Sequence, residues 1–141
     1  MSQELHILGL AVVGASCWWL GGRGTLPFRK AWRREVWPLS VALVAWAHGA
    51  SWMVLVVGTG AMIGAHHLGY GEDDPLWKRV VTGLALGVCL IPFGVAWWQA
   101  FLVSGWFALN YLLSLFSNRH TWAFVETTTG AIQGGLLGMV V

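Results

Sequence analysis

Glu126 is a carboxylate set inside an apolar run, Thr121 to Val141. Facing the interior of a helical bundle, such a group could take up a proton or hold a cation. His48 is the second candidate, an imidazole in an apolar stretch with Trp52 one turn on. It needs a partner, and a backbone carbonyl or Glu126 would serve; a proton or ligand role is the sharper alternative. Gln99, Asn110 and Gln133 are amides in apolar surroundings, suited to hydrogen bonds between helices. His66-His67 with Glu72, Asp73 and Asp74 supply the residue types of a metal site. Adjacent histidines diverge on a helix, however, and no second fixed pair follows, so neither a metal nor another cofactor is expected. Cys17 and Cys89 lie far apart inside apolar segments and read as packing residues.

No soluble-enzyme motif is present. The chain has no Gly-Lys-Ser/Thr phosphate loop, no Gly-x-Ser-x-Gly elbow, no Cys-x-x-Cys and no His-Glu-x-x-His. No catalytic residue is assigned, and an enzyme is the less favoured reading.

The elements that must position these groups are membrane helices. Charged residues make up 10% of the chain and hydrophobic ones 57%, whereas a soluble domain carries about 25% charged residues. The runs are continuously apolar rather than alternating, which selects helices over a β-barrel. The expected fold is all-α, a polytopic transmembrane bundle forming one integral membrane domain. Five spans are expected, at about 5–21, 38–65, 79–97, 100–117 and 121–141, with four as the alternative. The stretch 38–65 is read as one span kinked at His48-Gly49, ahead of a re-entrant hairpin. Val80 to Phe116 would make a helix of roughly 55 Å, nearly twice a bilayer, so it must turn back, near Trp97 to Gln99. The eleven tryptophans are assigned mainly to interface belts.

Arg29, Lys30, Arg33 and Arg34 follow the first span. Phe28, Ala31, Trp32 and Val36 fall on the opposite side of a short helix, with Thr25 as its cap. A basic amphipathic helix on an anionic membrane face, or a solvated basic loop, accounts for this pattern. Both place residues 22–36 in the cytoplasm and the amino terminus outside, in a bacterial inner membrane. Five spans put five basic residues inside and three outside, and four spans put six against two. Asp73 or Asp74 would cap the helix that follows the acidic turn.

Trp122, Glu126, Gly130, Gly134 and Gly138 recur at a spacing of four, on one helix face. Three glycines on one face predict close helix contact, while Gly60 with Gly64 and Gly83 with Gly87 are weaker signals of the same kind. In this register Glu126 lies only about 6–8 Å below the headgroups. An interfacial carboxylate, paired with Arg119 or capped by Thr127 to Thr129, is its plainer reading.

At His66 to Arg79, around Leu68-Gly69-Tyr70-Gly71-Glu72, and again at Trp122 to Gly130, the chain resembles small polytopic membrane proteins of phages and prophages. The resemblance covers about a quarter of the chain and implies a role in the host membrane, with no residue roles carried over. Together these features predict a non-enzymatic membrane protein that packs or self-associates through glycine faces and affects permeability. Its expected partners are a bilayer with anionic headgroups and either a second copy or another membrane subunit, with no nucleic acid. The alternatives are a proton- or ion-coupled transporter using Glu126 and His48, and an enzyme acting on lipid-linked substrates.

Overall fold

The computed structural model of the chain describes residues 2–22, 27–68, 75–113 and 119–141. Within them the structure is helical, with no strand. Helix α1 (Gln3–Gly21) opens on Ser2, whose side chain accepts from the Leu5 amide, as an N-cap does. The next rod is built from α2 (Arg29–Ala31), a π turn (Trp32–Val36) and α3 (Trp37–Ala47). Pro38 explains the π turn: it has no N–H for the carbonyl four residues back, and its ring crowds that carbonyl.

This rod ends at a tight reversal. His48 is the C-cap, Gly49 takes the left-handed conformation (φ 82°), and the Ala50 amide donates to Ala45 O while that of Gly49 donates to Trp46 O. That pairing is a Schellman motif, and it requires a residue without Cβ at Gly49. Ser51 then caps α4 (Trp52–His67). The expected single kinked span over 38–65 is therefore two antiparallel helices: His67 at the end of α4 reaches back to Glu35, with Nε2 2.6 Å from Oε1. Helix α5 (Leu76–Val88) and a 3-10 turn (Ile91–Phe93) lead to Gly94 (φ 98°), where the chain turns into α6 (Trp97–Leu113). The reversal precedes Trp97 and leaves Gln99 in the first turn of α6. Its side-chain oxygen accepts from the Ala96 amide at the start of α6. Helix α7 (Arg119–Val140) closes the fold against α1, where Gln3 donates to Met139 O.

The described residues thus form six rods of alternating direction: α1, the α2–α3 rod, α4, α5 with its 3-10 turn, α6 and α7. The five expected segments are one fewer than these rods because 38–65 holds two helices. Two of the helical stretches, Gln3–Gly21 and Leu76–Phe93, are long and apolar enough to cross a membrane. The expected amphipathic surface helix at residues 28–36 is instead the opening of the second rod, and Arg33 points inward and is buried. The suggested caps Thr25, Asp73 and Asp74 lie outside the described residues.

Large apolar side chains cover the outside of the rods, among them Leu8, Val12, Leu43, Met53, Val56 and Phe101. Six exposed tryptophans sit at two levels, while a seventh, Trp106, lies midway along α6. Trp46, Trp52, Trp97 and Trp98 lie at the end where α1 begins, and Trp19 and Trp77 at the other. Trp18 and Trp37 are core residues, packed with Met62, Leu86, Leu90 and Leu137.

Candidate functional site

The polar groups of the interior gather on one arginine. Arg33 Nη1 donates to Glu126 Oε1 at 2.9 Å and Nη2 to Oε2 at 2.8 Å, a bidentate pair with both side chains only 10% exposed. Its Nε and Nη2 also donate to Trp18 O, at 3.0 and 2.7 Å, and its guanidinium lies 5.0 Å from the Trp18 ring centre. Trp18 O is one of the last carbonyls of α1, at the negative end of the helix dipole, so a cation is favoured there twice over. Gly21 and Gly22 leave the space: a Cβ on Gly21 would fall 2.5 Å from Arg33 Cγ, and one on Gly22 2.9 Å from Nη2.

One turn deeper, Trp37 Nε1 donates to Gln133 Oε1 at 2.8 Å, and Gln133 Nε2 donates to Leu86 O at 3.3 Å. A single amide therefore ties α3, α7 and α5 together. Thr129 Oγ1 donates to Val125 O and accepts from Trp106 Nε1 at 3.0 Å. His66 is buried beside Trp18, with ring centres 5.6 Å apart. Its Nδ1 donates to Met62 O at 2.6 Å, which leaves Nε2 as a buried acceptor without a hydrogen bond.

Helix α7 approaches α1 backbone to backbone. A Cβ on Gly130 would overlap Trp18 and Gly14 O, one on Gly134 would overlap Leu10 O, and one on Gly138 would fall 2.6 Å from Ile7 Cα. Gly87 meets α6 in the same way, 2.5 Å from Ala100 O, and Gly83 is buried on the same helix. A Cβ on Gly60 or Gly64 would meet nothing within 4 Å among the described residues, so the expected close contact is not made there.

The structure brings Glu126 to Arg33 and Gln133 to Trp37. It does not bring His48 to either. His48 Nδ1 donates to Val44 O, four residues back, at the far end of a rod that runs about 20 Å from Arg33. Asn110 is buried with its Nδ2 unpartnered among the described residues. Arg29, Lys30 and Arg34 open the second rod outside the buried site. The pairing of Arg33 was missed in the sequence, although a signal existed. The stripe Trp37, Val41, Ala45, all buried, lands on Arg33 when extended back by four residues. The arrangement can neutralise two charges inside an apolar bundle and fix three helices to one another. No protein-family model, curated protein or solved structure matches the chain.

Proposed function

We propose that the chain is an integral membrane protein with six crossings that acts by packing in the bilayer rather than by catalysis. One observation carries the reading: among the described residues, all seven Lys and Arg fall at one end of the bundle. Arg29, Lys30, Arg33 and Arg34 open the second rod, Lys78 and Arg79 open α5, Arg119 opens α7, and Arg23 lies between the first two rods in the chain. A bias of this kind marks the cytoplasmic face of an inner-membrane protein, which places both chain ends outside. The two levels of exposed tryptophan support insertion in a bilayer, as interface belts. So does the surface: only 22% and 39% of the two stretches long and apolar enough to span are buried, where a soluble core helix would be mostly covered.

The remaining rods fall short of an ordinary span for identifiable reasons. Helices α4 and α6 are short, and α7 carries Glu126 and Gln133, which Arg33 and Trp37 satisfy inside the bundle. A transporter or enzyme built on Glu126 and His48 needs both at one site, and they lie at opposite ends. The likeness to phage and prophage membrane proteins supports a role in the host membrane, exerted on permeability and alongside anionic lipids.

Labelling with a membrane-impermeant maleimide tests the reading. Ala47→Cys and Ala96→Cys react from outside intact cells, and Leu76→Cys reacts only after permeabilisation. Reaction of Leu76→Cys from outside would restore a five-span arrangement and end the proposal.

A further inference from the structure

The second rod carries an apolar stripe on the outside of the bundle. Trp46, Leu43, Leu39 and Val36 are all exposed, at alternating spacings of three and four. Followed back through the wider π turn, the stripe arrives at Phe28 and Arg29. Phe28 is the one described residue other than glycine with a left-handed backbone (φ 54°, ψ 26°). A bulky side chain rarely takes that conformation, because its Cβ crowds the following carbonyl. Little contact within the chain offsets this strain, since Phe28 is 86% exposed. Arg29 and Lys30 come next, both exposed, and neither enters an ion pair among the described residues. Glu35 is the one acid between positions 23 and 36, and it is already engaged by His67 and Arg34.

We propose that Phe28, Arg29 and Lys30 bind one anionic phospholipid, with its phosphate between the two cations and an acyl chain along Val36, Leu39 and Leu43. This rests on the bilayer orientation proposed above, which puts the start of the second rod at the cytoplasmic headgroups. The rod stands across the bilayer rather than on it, so only its opening turn reaches the phosphates. Charge selects the ligand: two cations whose neighbouring acid is occupied attract an anionic headgroup more than a zwitterionic one. Phe28 selects a lipid over a soluble anion. Its ring loses water by entering the boundary between headgroups and chains, which offsets the strained backbone that presents it. Inorganic phosphate would engage Arg29 and Lys30 and gain nothing from Phe28 or the stripe.

The test uses full-length protein in a neutral detergent, titrated with dioleoyl phosphatidylglycerol or dioleoyl phosphatidylcholine and read by native mass spectrometry. Wild type holds the anionic lipid about tenfold more tightly, and the double variant Arg29→Gln/Lys30→Gln loses that preference. Lys78→Gln, at the same end of the bundle, binds as wild type does. Phe28→Gly separates a lipid contact from a packing role, because glycine takes the left-handed backbone freely. It melts at or above wild type without lipid, yet binds phosphatidylglycerol several-fold more weakly. Equal affinity for the two lipids, a retained preference in the double variant, or an equal loss in Lys78→Gln would overturn the proposal. So would a lowered melting temperature in Phe28→Gly, or full displacement of the lipid by an equal concentration of inorganic phosphate. Maleimide labelling of Ala96→Cys and Leu76→Cys reads the six crossings separately. Unchanged labelling without a lipid preference ends this proposal and leaves the membrane reading standing.

Discussion

Arg33 and Glu126 are each costly alone and compatible together. An isolated charge in a dry interior would forfeit its hydration, but here each guanidinium nitrogen that donates has an acceptor, and both carboxylate oxygens have a donor. Removing one partner should therefore cost more than removing both. Glu126→Leu or Arg33→Met is expected to destabilise the folded bundle by about 3–5 kcal/mol. The double variant, with an apolar pair of similar volume, should recover most of that loss, read as non-additive unfolding free energies in detergent micelles. Additive losses would mean that the two side chains act separately. The sequence showed Glu126 as the group in need of explanation and proposed Arg119 or the threonines as its relief. It did not show Arg33, because four clustered basic residues look alike on paper. Only the inward stripe through Trp37 separates Arg33 from Arg29, Lys30 and Arg34.

Among the helices, glycine is used in two different ways. Along α7 it removes side chains where α1 must approach, so the seam between the first and last helices is internal to one chain. A methyl group at Gly134 meets the backbone of Leu10, which cannot rotate away, so Gly134→Ala should destabilise by about 1–3 kcal/mol. Gly60→Ala, in open space on α4, should leave stability unchanged or raise it slightly, since alanine is the better helix former. Parallel unfolding curves distinguish the two, and an equal effect of both substitutions would refute this division. The face expected for self-association on α7 is thus occupied by α1, and any association between copies through glycines falls to Gly60 and Gly64. The close contact was legible as three glycines in register; its partner was not, because a glycine stripe says how near a neighbour comes and nothing about which neighbour. The α3–α4 reversal was legible in part. His48-Gly49 marks the break, and Gly49 followed by Ser51 is a helix stop and a helix start two residues apart. Length weighed against it, since neither half alone reaches the span of a bilayer until α3 is extended back through the π turn to Arg29.

On the scale of the whole molecule, charge and apolar length gave conflicting span counts in the sequence, and the proposed six crossings would remove the conflict. Five spans divided the basic residues five against three, and four spans six against two; six rods put all seven of the described ones at one end. A bias that large should be robust. Arg29, Lys30 and Arg34 lie at the opening of the second rod, outside the buried ion pair, so replacing all three with Gln removes charge without removing the Arg33–Glu126 contact. Among the described residues, Arg33, Lys78, Arg79 and Arg119 then remain at that end against no Lys or Arg at the other. Orientation should persist, because it follows the difference in Lys and Arg near the helix ends rather than the total. Ala96→Cys in that background should still react with impermeant maleimide from outside, with unchanged yield of inserted protein. Placing the same three charges at the end of α3 as well, with Lys at the exposed positions 46 to 48, reduces the bias among the described residues to four against three and should split the labelling between the two faces. If the triple Gln variant alone inverted the labelling, the charges at the start of the second rod, rather than the bias summed over the bundle, would be setting the orientation.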